Sequence, residues 1–135
     1  MSIPAFSADW ATALATAINT DDAFAKAAKG WTNIVALVVA PHELLPAGAA
    51  VEVDLQAGAC HNATALRPNE VSAAFVLTAD MASWKEIIGG TADPIMAVAT
   101  GRVKLTQGSL AALMMHSRAA KALLVCTRKI STLWT

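Results

Sequence analysis

Residues 49–57 alternate without a slip: Val51, Val53 and Leu55 project to one side of an extended chain, and Glu52, Asp54 and Gln56 to the other. Successive side chains of a β-strand point to opposite faces, so this stretch belongs to a sheet with one wet face and one apolar face that needs cover. Just upstream, residues 31–40 hold Ile34, Val35, Leu37, Val38 and Val39, apolar on both faces and mostly β-branched, which marks a central strand. A turn over residues 41–48 joins the two as part of an antiparallel meander. Cys60 to Leu66 returns beside the alternating strand and ends at the turn Arg67-Pro68-Asn69. Residues 71–78 read as a fourth strand, with Val71, Ala73, Phe75 and Leu77 on one face. Gly101 introduces a fifth, in which Val103 and Leu105 alternate with Arg102 and Lys104.

The cover is helical. Trp10, Leu14 and Ile18 recur every four residues, with Ser7 or Asp9 as the cap. Asp21 and Asp22 open a short second helix through Phe24 to Ala28, stopped at Gly30, with acids at the end where the helix dipole favours them. Asp80 caps a helix whose Met81, Trp84, Ile87 and Ile88 form one stripe, ended by Gly89-Gly90. Asp93-Pro94 starts another short helix, a cap followed by proline at the first position. Ser109 then caps one helix running through Leu110, Leu113, Met114, Ser117, Ala120 and Leu124. No linker or repeat divides the 135 residues, so residues 1–135 read as one α+β domain.

Apolar residues make up 56% of the chain and charged ones only 15%, where about a quarter is usual. That excludes a disordered tail and a basic nucleic-acid-binding arm. The longest stretches without a charge, residues 30–42 and 105–117, are 13 residues each, short of the ~20 that span a bilayer. No basic region precedes an apolar run at the start, and Asp9 comes early, so a cytoplasmic protein is expected. Cys60 and Cys126 lie far apart and read as reduced thiols in an apolar interior. His42, His61 and His116 lack ligand spacing, and neither a metal nor another cofactor is expected.

Catalytic pairings fail on geometry. Cys60 and His61 are neighbours on a strand and project to opposite faces. His116 and Ser117 diverge by about 100° on a helix. Asp21-Asp22 is a helix start, and Gly89-Gly90 lacks the lysine and further glycines of a phosphate loop. A catalytic role is not expected.

Residues 75–113 run Phe75-Val-Leu-Thr-Ala-Asp80, Trp84, Gly89-Gly90, Asp93-Pro94, Gly101-Arg-Val-Lys104-Leu, then Gly108 and an apolar helix. This succession resembles the sterol carrier protein 2 family, and the upstream order of helices and meander fits it as well. The chain departs from the family pattern at Gln107, where a small or β-branched residue is frequent, and in a longer, more basic segment from Ser117 onward. The resemblance implies a mostly antiparallel five-stranded sheet, with helices covering one face and an apolar tunnel between. It also implies non-catalytic binding and transfer of a sterol, fatty acid or fatty acyl-CoA. Matching positions that would line the tunnel are Phe75, Leu77, Trp84, Ile88, Ile95, Met96, Val103, Leu105, Leu113 and Met114, with methionines giving an adaptable wall. Plain core packing is the simpler role for the same residues. Two other functions compete: a protein-interaction or dimerisation module, and a small CoA-thioester-processing enzyme of hotdog shape. The latter needs a long helix after the first strand, and residues 31–79 offer none.

All ten acids lie between Asp9 and Asp93, whereas the chain from Pro94 onward carries six bases and no acid. Of these, Arg118 and Lys121 share a helix face, and Arg128 and Lys129 precede Ile130, Leu133 and Trp134. Basic and tryptophan side chains favour a lipid–water boundary, so these four bases are candidates for contact with an anionic group or membrane surface. The alternative is that they pair with the acidic first part of the fold.

Overall fold

The computed structural model describes residues 2–134. The chain forms β1 (Ile3–Pro4), α1 (Ala8–Asn19), α2 (Asp22–Ala27), β2 (Thr32–Val39), β3 (Ala49–Gln56) and β4 (Ala59–Leu66). It continues through β5 (Phe75–Ala79), α3 (Met81–Gly89), α4 (Pro94–Ala99), β6 (Val103–Gln107), α5 (Leu110–Met115), α6 (Ser117–Cys126) and β7 (Thr132–Leu133). Five strands make one sheet in the order β4-β3-β2-β5-β6. Three of its ladders are antiparallel, and β2–β5 is parallel, with Val35 opposite Phe75 and Leu37 opposite Leu77. The sheet is therefore mixed, though mostly antiparallel.

The parallel ladder follows from the route between β4 and β5. β4 lies at one edge, so the chain crosses β3 and β2 to reach the far side of β2. A short 3-10 turn (Pro68–Glu70) starts this crossing. Residues 71–74, expected as the beginning of a strand, form an extended strap instead. Ser72 donates its N–H to Glu52 Oε2 at 2.8 Å, and Ala74 donates to the carbonyl of Ile34 at 3.1 Å. Val71 and Ala73, expected on one face with Phe75 and Leu77, pack instead on the face away from the helices. There Ala73 joins Ala36, Val38 and Ala50 in a small apolar cluster, because the strap crosses the back of the sheet before β5 enters it. The small side chains of Ala36 and Ala50 let the strap approach while keeping both residues fully buried.

The main core is on the other face. Val35, Leu37, Val39, Val51, Val53, Leu55, Phe75, Leu77 and Val103 meet the buried stripes of the helices there. α1 contributes Trp10, Leu14 and Ile18, each at most 1% exposed, and complete burial of such side chains stabilises by about 1.5–3 kcal/mol apiece. Asn19, at its end, exchanges two hydrogen bonds with the backbone of Cys60, at 2.8 and 2.9 Å. That clamp sits beside the β3–β4 turn, where Ala57 and Gly58 both have positive φ (50° and 91°), as a tight two-residue hairpin requires.

The caps fall where the side chains place them. Ser7, Asp21, Asp80, Asp93 and Ser109 each accept a backbone N–H in the first turn of the following helix. The expected single helix from Ser109 is two. His116 leaves helical geometry (φ −111°, ψ 29°) and separates α5 from α6. Its ring stacks on Trp31 at 5.6 Å and 16°, a contact that joins this break to the start of β2. After a 3-10 turn (Thr127–Lys129), β7 pairs in parallel with β1, Ile3 opposite Thr132.

Candidate functional site

The ten apolar positions predicted from the sequence come from five elements. β5 supplies Phe75 and Leu77, β6 supplies Val103 and Leu105, and α3 supplies Trp84 and Ile88. Ile95 and Met96 come from α4, Leu113 and Met114 from α5. Phe75, Leu77, Trp84, Ile88, Val103 and Leu113 are buried together in the main core. Ile95 and Leu105 are half-buried. Met96 and Met114 lie at the surface, 59% and 40% exposed, as do Leu110 and Met115.

This gradient has a local cause. α3 is anchored by Trp84, whose indole N–H donates to the carbonyl of Val38 at 2.8 Å, and by buried Met81, Ile87 and Ile88. α4 and α5 have six residues each and bury little: Pro94 and Ala97 in one, Leu113 alone in the other. α5 hangs between His116 and Gly108. A side chain at Gly108 would meet the carbonyl of Ala74 and the Phe75 ring, each at 2.7 Å, and its φ of 103° suits only glycine.

Several surface clefts among the described residues lie elsewhere. One of about 80 Å³ lies between Ala5, Leu44, Met81 and Trp134, none of them among the ten predicted positions. Another of about 520 Å³ opens beside Asp80, Ser83, Arg102 and Lys104. A third, about 320 Å³, has an apolar floor of Ala23, Ala27, Ala122 and Val125, with Arg118 and Lys121 at its rim.

The four candidate bases divide. Arg128 is half-buried and donates to two carbonyls, that of Ile87 at 2.9 Å and that of Ala92 at 2.7 Å, tying together the end of α3 and the approach to α4. Lys129 binds Asp21 at 2.8 Å, and each pushes the other towards its charged form: the Asp21 carboxyl lies below its usual range and the Lys129 ammonium above. Lys121 sits 3.8 Å from Asp93, with both side chains about half exposed. Arg118 is exposed and has no ion pair among the described residues. Arg102 pairs with Glu86. Much of the basic second part is thus paired with acids of the first.

Cys60 is buried and His61 exposed, on opposite sides of β4. Burial pushes the Cys60 thiol up, and burial together with nearby Asp21 pushes the Cys126 thiol up to about 12, so both stay protonated and poor nucleophiles at neutral pH. Among the described residues, no three His, Cys, Asp or Glu side chains gather at one point, and no helix is long and apolar enough to cross a membrane.

The family model of the SCP-2 sterol transfer family matches residues 12–121. The chain belongs to the sterol carrier protein 2 family. A crystal structure of sterol carrier protein 2 is 37% identical, with TM-score 0.89, and the match covers 93% of this chain and 98% of that one. The solution structure of a conserved hypothetical protein from Thermus thermophilus is 35% identical, with TM-score 0.88 over 100% of this chain and 96% of the other. The apo form of sterol carrier protein 2 from Yarrowia lipolytica, 15% identical with TM-score 0.55 over 87% and 88% of the two chains, shares the fold. No curated protein matches the chain. Family membership makes this a lipid-binding or lipid-transfer domain.

What the sequence does not indicate is the role of Trp31. By its pattern it is only the first residue of a strand, yet its ring lies against both Phe75 (6.1 Å) and His116. An indole just before a doubly apolar strand is the available signal.

Proposed function

We propose that the protein is a non-catalytic carrier that takes a sterol, fatty acid or fatty acyl-CoA into the apolar layer between β5–β6 and the helices α3, α4 and α5. The observation that carries this reading is the change from buried Phe75, Leu77 and Leu113 to exposed Met96 and Met114 on two short, lightly anchored helices. Outward movement of α5 about Gly108 and His116 opens a tunnel there, lined by the ten predicted side chains. Methionines at its mouth repack around different chains at little cost. Delivery involves transient contact with an anionic membrane through Arg118 and Lys121, the two bases on the exposed face of α6. Buried, separate Cys60 and Cys126 suit a reducing cytoplasm.

Solvent extraction of the purified protein followed by mass spectrometry identifies any carried lipid, and displacement of a fluorescent fatty acid gives its affinity. The expected result is stoichiometric lipid, with Met114→Trp weakening long-chain ligands more than short ones. Absence of both extracted lipid and fatty-acid binding overturns the carrier reading.

A further inference from the structure

Three indoles lie wholly inside the protein, those of Trp10, Trp31 and Trp84. Trp10 donates its N–H to the Thr132 hydroxyl at 3.0 Å, and Trp84 donates to the carbonyl of Val38. Trp31 is 1% exposed, and its buried Nε1–H has no acceptor among the described residues. A buried donor left unpaired typically costs about 1–3 kcal/mol, so native folds rarely keep one without a use.

Its location suggests the use. The Trp31 ring touches Phe75 of the apolar wall on one hand and lies parallel to the His116 imidazole on the other. Phe75 is also the ring against which Gly108 packs. Both ends of α5, Gly108 and His116, therefore converge on the Trp31–Phe75 pair. A molecule admitted by movement of α5 reaches this indole at the joint.

We infer that the Trp31 Nε1–H binds the polar end of the ligand, an oxygen acceptor borne by an otherwise apolar molecule, whether a carboxylate or a hydroxyl. The half-buried His116 ring lies parallel to this indole. This role of Trp31 rests on the carrier reading and adds a direction to it: oxygen at the Trp31–His116 joint, apolar body along the wall. It also adds selectivity, because a ligand oxygen pairs a donor that is otherwise unpaired, whereas a hydrocarbon gains nothing there.

The test uses the ¹⁵N-labelled full chain, with the Trp31 indole resonance assigned by comparison with Trp31→Phe. Oleate, cholesterol and octadecane, the last two delivered from cyclodextrin, are titrated separately. A downfield shift of the Trp31 indole proton with oleate alone assigns a carboxylate head, and one with cholesterol alone a hydroxyl. A shift with both assigns an acceptor of either kind. Octadecane is expected to leave the proton in place. In Trp31→Phe, which keeps an apolar ring, affinity for the oxygen-bearing ligand falls about tenfold while octadecane binding is unchanged. Bound oleate and cholesterol with an unmoved indole proton overturn the assignment of Trp31 and leave the carrier reading standing. Failure of all three probes to bind overturns both.

Discussion

The carboxylate of Asp21 serves two distant parts of the chain at once. Oδ1 accepts the N–H of Phe24 at 2.8 Å and caps α2, while Oδ2 accepts from Lys129 Nζ at 2.8 Å, 108 residues away. The Cys126 thiol donates to the same Oδ2 at 3.6 Å. One side chain therefore sets the start of a helix and holds down the segment that follows α6.

The two roles separate by substitution. Asp21→Ala removes cap and ion pair and is expected to cost about 1–2 kcal/mol, whereas Asp21→Asn keeps a good cap and costs less. The Asp21–Lys129 coupling in a double-mutant cycle with Lys129→Met is expected to be small beside the cap, since the lysine is half exposed and solvent screens the pair. Urea unfolding of the variants measures both, and equal losses for Ala and Asn would mean the cap contributes nothing.

Stability is expected to fall at both ends of the pH scale. Asp21, Asp80 and Asp93 are held below the ordinary carboxylate range, chiefly by Lys129, by Ser83 and by the N–H of Met96 respectively. The unfolded chain thus takes up more protons in acid, and the stabilisation is present above that range and drains as pH falls through it. On the alkaline side, Cys126 and Lys129 keep protons that the unfolded chain gives up. Their contribution is whole at neutral pH and is lost as pH rises past the ordinary thiol range towards 12. Urea midpoints across pH check this, and Cys126→Ala is expected to flatten the alkaline limb.

Two glycines invite opposite results. Gly108→Ala places a methyl 2.7 Å from the Ala74 carbonyl at a φ of 103°, so a loss above about 1 kcal/mol is expected, with disturbance centred on α5. Gly89, the last residue of α3, has open space where a methyl would sit, with nothing within 4 Å, and Gly89→Ala is expected to gain up to about 0.5 kcal/mol. Thermal melts of the two variants decide the pair.

Arg128 and Arg118 are expected to behave as different kinds of residue. Arg128→Lys loses the fork that reaches both Ile87 and Ala92, costing about 1–3 kcal/mol in chemical denaturation. Arg118→Glu leaves stability within about 0.5 kcal/mol but weakens binding to anionic vesicles at low salt. Unchanged vesicle binding by Arg118→Glu together with Lys121→Glu would remove the membrane contact from the proposed function.

Local chemistry makes much of this fold legible. The caps at Asp80, Asp93 and Ser109, the helix start at Asp21-Asp22, the α1 stripe and the two-faced β3 all depend on neighbours within a few residues, and each is present as expected. Val71 and Ala73 are less informative, because an extended strap and a strand have the same two-residue period and differ only in the partner chain, here the back of β2 and β3. The break at His116 is hidden for a related reason: Leu113 before it and Ala120 and Leu124 after it bury against one core, so the apolar stripe runs on through the interruption. In the site, burial of Phe75 and Trp84 is legible from their periodicity. The surface positions of Met96 and Met114 are not, since an apolar side chain on a six-residue helix carries no mark of how firmly that helix is held.

The pairing of β1 with β7 has a mechanical side. The strands run parallel, so traction applied at residues 2 and 134 pulls them along their length in opposite directions. The bonds between them, among them Ile3 to Ser131 and Ala5 to Leu133, both 2.8 Å, are then loaded together in shear and do not unzip one after the other. Tension must rupture this clasp as a unit before it reaches the helices α1 and α6 that lie behind it.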